Sequence, residues 1–350
     1  MDLAPFLDDL ERRLDPDIEE ELLADWRGFL AGRHRDGLFT PRRRRTAPPG
    51  LAWPPVRVNE ALEDFDRMAL QQLLSCSGAL ADGWGGILCV RCNYGTGILP
   101  TVFGAELFVM DDATNTLPTS RPMPRGADAI RRLAERGVPD LRAGLGGRVF
   151  DMARHFQRLF EPYPKIAKHV WIYHPDIQGP MDVCELLWGS DLFTAAYEDP
   201  DLLHALLRRV TAAYAAFMDE WERVVPPRRA DESAHWSMLI AGRLMIRDDS
   251  AMNFSPEMFD AFIRPYDQAL LDRFGGGAVH FCGRGDHFVP SLATLRGLRG
   301  INLSQPHLND MERIFCHTVD RGIPLLGLQR QAAEAARAAG RDLRGRVHVI

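Results

Sequence analysis

Two hydrophobic patterns divide the chain. From Leu3 to Leu30 apolar residues recur at helical spacing among many carboxylates, which predicts an N-terminal helical extension. After Asn59 short apolar runs alternate with amphipathic stretches. The runs predict strands at 87–92, 106–110, 170–173, 236–241, 278–282, 300–304, 324–328 and 346–350. Helix signals fall between the later ones. Ser255-Pro256 reads as a cap followed by proline in the first turn, with a stop at Gly275. Further helices are expected from Asn309-Asp310 to Gly322, from Ala332 to Ala339, and from Pro200 to Val224 before Pro226-Pro227.

Strand and helix in repeated alternation imply parallel strands with helices outside. Eight strands across residues 59–350 favour a closed (β/α)8 TIM barrel of the α/β class, preceded by the extension at residues 1–58. An open doubly wound sheet is the competing reading. It lacks a glycine-rich phosphate loop, because Gly83, Gly85 and Gly86 precede a strand and not a helix. The four arginines at 42–45 lie beside Pro41, Pro48 and Pro49, and are expected to be a solvated linker.

Composition narrows the functional classes. The 350 residues are 46% hydrophobic and 26% charged, with a net charge of −6, so a dedicated nucleic-acid binder is disfavoured. No apolar run approaches the ~18–20 residues of a membrane span. Met1 to Leu10 is acidic and unlike a signal peptide, and six irregularly spaced cysteines suggest no disulfide framework. A reduced, cytoplasmic setting is expected.

The chemistry concentrates in the run from Gly275 to Gly283. Three glycines lead into Ala278-Val279-His280-Phe281-Cys282, and a glycine follows. Successive side chains of a strand point to opposite faces, so Val279 and Phe281 share one face while His280 and Cys282 share the other. Imidazole and thiol together suit a zinc site, and the competing reading is a polar pair without metal. Other strand ends supply Asn93 and Tyr94, Arg247 with Asp248 and Asp249, and Arg284. Asp248-Asp249 reads either as a base or ligand, or as the cap of the loop before Ser255. Cys76, Cys89, Cys184 and Cys316 read as small apolar residues, Cys316 on the sheet-facing side of its helix.

These residues resemble the uroporphyrinogen decarboxylase superfamily, which includes corrinoid-dependent methyltransferases. The resemblance covers roughly Asn59 onward. It rests on His280-Phe281-Cys282-Gly283, Ser255-Pro256-Glu257-Met258-Phe259, Gly300-Ile301-Asn302-Leu303-Ser304, Asn93-Tyr94-Gly95-Thr96-Gly97, and the segment from Asp182 to Ser190 followed by Asp199-Pro200. His-x-Cys-Gly resembles the zinc methyltransferase branch, and so implies a TIM barrel in which His280 and Cys282 hold zinc that activates a thiol. That branch has a second cysteine after the segment matching residues 346–350. None is offered here, so the third ligand would be His348, Asp248, Asp249, His235 or a further group that the sequence does not single out.

The implied activity is methyl transfer from a methyl-corrinoid (methylcobalamin, carried by a corrinoid protein partner) to a thiol. Asp248 or Asp249 would act as base or auxiliary ligand, and Tyr94 and Asn93 would position substrate. Arg247 and Arg284 are candidates for binding carboxylates or phosphates. The alternatives are a metal-independent decarboxylase of a tetrapyrrole or other polycarboxylate, and a non-catalytic corrinoid- or thiol-binding relative. A homodimer is compatible with the N-terminal arm.

Overall fold

The computed structural model describes residues 1–124 and 126–350. In chain order the described residues form strands β1 (Cys89–Arg91), β2 (Leu107–Phe108), β3 (Thr119–Ser120), β4 (Trp171–Tyr173), β5 (Glu232–His235), β6 (Met238–Ala241), β7 (Leu244–Arg247), β8 (Gly277–Phe281), β9 (Leu298–Leu303), β10 (Leu325–Leu328) and β11 (Val347–Val349). Five of these make one parallel sheet in the order β11-β10-β9-β8-β7, and β1 pairs in parallel with β4. Helices Arg264–Arg273, Met311–His317 and Arg330–Ala338 fall between successive strands of the larger sheet. The architecture is mixed α/β.

Alternation along the strands sorts side chains into two cores. Ile246, Val279, Phe281, Ile301, Leu303, Leu325 and Val347 join the helices in one apolar cluster. Cys89, Tyr173, Met245, Ala278 and Leu326, from the opposite faces, join Trp26 and Phe29 of the Pro16–Leu30 helix and Leu239 and Ile240 of β6. The β5–β6 hairpin and the N-terminal segment therefore fill the inner face of the sheet.

The glycine run ahead of β8 has two physical uses. Gly275 and Gly276 take φ of +72° and +93°, where a side chain is strained. Gly277 lies so close to β7 that a Cβ would meet the Leu244 carbonyl oxygen at 2.2 Å.

Two expected strands are corrected. The run at 106–110 contributes only β2, paired antiparallel with β3, and is no part of the parallel sheet. The run at 236–241 is β6, paired antiparallel with β5. The sheet strand in that region is β7, whose Leu244-Met245-Ile246 core is three apolar residues between two arginines and was too short to register. The helix expected from Ser255 breaks at Ile263, ahead of Pro265, into Pro256–Phe262 and Arg264–Arg273. Cys316 is exposed, with its thiol beside Glu312, and does not face the sheet.

The connector is also corrected. Arg43 is buried: its guanidinium makes two hydrogen bonds to Glu19, at 2.6 and 2.8 Å, and donates to the Trp84 and Gly86 carbonyls. Trp26 Nε1 donates to the Gly85 carbonyl at 2.9 Å. Phe39 extends the sheet beyond β11, donating to Val347 O and accepting from Val349 N–H. On the other flank His174 Nε2 accepts from Met245 N–H at 3.2 Å, and Gly179 N–H donates to Arg247 O at 2.9 Å. Residues 1–58 thus share the cores of the rest; Leu3, Leu7, Leu10 and Leu14 lie in the helix-side cluster. No described helix is long and apolar enough to cross a membrane.

Breaking a buried ion pair from one side leaves an uncompensated charge. Arg43→Ala is therefore expected to lower unfolding stability by about 3–5 kcal/mol, read from the denaturant midpoint. A loss under ~1 kcal/mol, the value of an exposed pair, would restore the solvated-linker reading.

Candidate functional site

Parallel register builds the site. Arg247 of β7 stands beside His280 of β8, and His280 beside Asn302 of β9, so one layer crosses three strands. Asn302 Nδ2 donates to the Leu326 carbonyl, which fixes the amide orientation and turns Oδ1 toward His280. His280 Nδ1 lies 2.5 Å from that oxygen and donates its proton to it. Nε2 is left with its lone pair, facing Cys282 Sγ at 3.4 Å and Asp249 Oδ1 at 3.5 Å. Burial lowers the His280 pKa, which favours the same neutral ring.

Asp249 arrives from the 3₁₀ turn Asp249–Asn253 that follows β7. The turn is pinned by Asp182, whose carboxylate accepts the Asp249 and Ser250 N–H groups at 2.9 and 2.8 Å. Asp249 Oδ1 accepts the Cys282 N–H at 2.8 Å, tying the turn to the end of β8. Cys282 Sγ lies 3.5 Å from Ser304 Oγ. Burial pushes the Cys282 thiol up to about 11, with Asp249 adding to the rise, so alone it stays protonated at neutral pH. Donor atoms of Asp249, His280 and Cys282 all lie within 4.8 Å of one another. Among the described residues no other three such side chains converge in this way.

Trp236 forms one wall. Its ring stands edge-on to His280, with centroids 4.9 Å apart and planes at 83°, and Arg247 Cζ lies 4.6 Å from the indole. Arg247 is itself buried and engaged: it pairs with Asp176, donates to Ile177 O at 3.0 Å, and donates to His235 Nε2 at 2.7 Å. Asp176 also pairs with Arg91. Arg247 therefore does not point a free guanidinium at a ligand.

The remaining expected residues scatter. His235 accepts from Arg247, and His348 accepts from Gly327 N–H at 3.0 Å while packing on Trp26, so neither reaches the Asp249–His280–Cys282 group. Burial lowers His348 to about 3. Asp248 is fully buried with both oxygens unpartnered, and burial followed by nearby Asp267 raises its pKa. Tyr94 is fully buried beneath Arg148, which donates to the Leu62 and Glu63 carbonyls in the helical layer. Asn93 is buried with Oδ1 unpartnered. Arg284 is mostly exposed and paired with Asp286 at 2.9 Å. Sequence reasoning missed Asn302, Trp236 and Asp182 as site residues. Asn302 carried a usable signal, since it alternates with Ile301 and Leu303.

The chain matches no protein-family model and no curated protein. Its structure is similar to that of a methyltransferase from Methanosarcina mazei, with 16% sequence identity and a TM-score of 0.62. The likeness covers 87% of this chain and 82% of that one. At that identity it is a likeness of fold.

Beside Asp248, buried Asp267 has its pKa raised to about 7, chiefly by burial. An unfolded aspartate titrates near ~3.9, so between that pH and about 7 the folded state holds more protons than the unfolded one. Stability contributed by this residue must then fall as pH rises through the window. Asp267→Asn is expected to flatten that decline in melting temperature measured from pH 4 to 8. An unchanged slope would contradict the assignment.

Proposed function

We propose that this chain is a methyltransferase in which Asp249, His280 and Cys282 hold zinc, on a closed (β/α)8 barrel. The methyl donor is a methyl-corrinoid presented by a partner protein, and the acceptor is a thiol. The convergence of the three donor atoms carries the reading. One sulfur, one neutral imidazole nitrogen and one carboxylate oxygen form a set that a borderline-soft cation accepts. The fold likeness to a methyltransferase supports it. The Phe39 and His174 links at the two flanks of the sheet support the closed barrel.

A bound divalent ion supplies Lewis acidity, which lets a thiol exist as thiolate at neutral pH. The protein's own part is to present and hold the donors. Asn302 fixes the His280 tautomer by accepting the Nδ1 proton, so Nε2 is available without a competing hydrogen. Asp182 pins the backbone that carries Asp249. The Trp236 ring stands edge-on against one side of the histidine. A decarboxylase gripping carboxylates needs cations free to reach them, whereas the guanidiniums of Arg91 and Arg247 are both held by the one Asp176 carboxylate.

Protein purified with zinc or cobalt(II) is expected to hold about one ion per chain, and Cys282→Ser and His280→Ala to lose it. Asn302→Leu keeps all three donors and is expected to weaken metal affinity about 10–100-fold, measured by competition with a chromogenic chelator. Affinity should rise from pH 6 to 9, because the Cys282 proton must leave as the ion binds. Metal content indifferent to Cys282→Ser would sink the reading.

A further inference from the structure

The cavity above His280 has a composition that constrains what enters it. It measures about 400 Å³ and is lined by Trp236, Met238, Asn302, Ser304 and Gln329, with His280 in its wall. Among the described residues no lysine or arginine lines it. The Arg247 guanidinium lies on the Trp236 ring, outside the lining, with its N–H groups engaged by Asp176, Ile177 O and His235. Arg284 is mostly exposed and already paired. The lining offers an anion no cationic partner. A divalent cation is neutralised by the Asp249 carboxylate and the Cys282 thiolate, with His280 neutral. An entering thiolate then makes the group anionic, and a second negative charge on the same ligand would sit in the cavity without a counter-ion.

Trp236 is held rigidly where it faces this space. Trp236 and Ser237 take φ of +45° and +61°, a two-residue hairpin turn usually occupied by Asn-Gly. The turn is locked by Ile87 N–H donating to Ser237 O at 2.7 Å and by Ser237 N–H donating to Cys89 Sγ at 3.3 Å. Strain at a bulky residue persists only where its surroundings over-determine it, and here it fixes a flat apolar wall beside the proposed ligands.

We infer that the acceptor is an uncharged thiol with a compact apolar or aromatic body packed against Trp236, and that anionic thiols are excluded by the lack of a cation in the wall. This rests on the reading of the site as a metal-held thiol acceptor. The test uses the cobalt(II)-loaded full chain, titrated with benzyl mercaptan and with 2-mercaptoethanesulfonate, following the sulfur-to-cobalt charge-transfer band in the near ultraviolet. Benzyl mercaptan is expected to saturate the change at a concentration at least about tenfold lower. Trp236→Ala should erase most of that advantage, read as the ratio of the two thiols' saturating concentrations in the same cobalt-loaded variant. Gln329→Lys places a cation in the wall without touching a donor, and should improve 2-mercaptoethanesulfonate binding about tenfold.

Equal or tighter binding of the sulfonate by the unaltered protein overturns the inference and leaves the metal site standing. Bound cobalt whose spectrum responds to neither thiol overturns the inference together with the thiol reading. Failure to bind cobalt overturns the metal site itself.

Discussion

The hydrogen bond from His280 Nδ1 to Asn302 Oδ1 is the contact on which the site depends. It exists because β8 and β9 run parallel in a register that sets the two residues side by side. It has a direction because Asn302 is itself committed to the Leu326 carbonyl. A freely rotating imidazole would present either nitrogen, protonated or not. This one presents Nε2 toward Cys282 and Asp249, and burial keeps it neutral. The second requirement is the 3₁₀ turn after β7, where Asp182 occupies two backbone N–H groups and so delivers Asp249 to the end of β8.

The surroundings of that contact are costly to fold, and the costs collect near it. Asp182, Asp248 and Asp267 are carboxyl groups out of water, and burial raises the pKa of all three. Trp236 and Ser237 hold a left-handed turn that neither residue favours. Such features are offset by the packing around them, here the aromatic and aliphatic inner core that includes Trp26, Phe29, Phe39 and Met245. Proteins generally break local rules where function requires it, and these departures lie beside a single group of converging donors.

Much of this was legible in the sequence because strands have a period of two. Alternation alone assigned Val279 and Phe281 to the helices, and His280 and Cys282 to the other face. The same logic applied to Ile301-Asn302-Leu303 would have found the orienting asparagine. Asp249 was among the candidate ligands, but nothing local separated it from Asp248; the two diverge because the chain turns between them, setting one carboxyl beside Asp267 of the helix layer and the other on the Cys282 N–H. β7 escaped notice because three apolar residues between arginines carry no periodic signal. Tyr94 and Arg247 sat at strand ends, where a ligand contact is a fair expectation. Yet one packs beneath a helix-layer arginine and the other neutralises Asp176, and such tertiary pairings have no trace in local sequence. Arg43 is a similar case, since its partner Glu19 lies in a separate helix.

X-ray absorption at the zinc edge, on metal-loaded protein without added thiol, reads the proposed centre directly. The account requires one sulfur scatterer at ~2.3 Å together with nitrogen and oxygen scatterers at ~2.0–2.1 Å, and loss of the sulfur shell in Cys282→Ser. A sulfur-free shell in the unaltered protein, or two sulfurs per zinc, would contradict it.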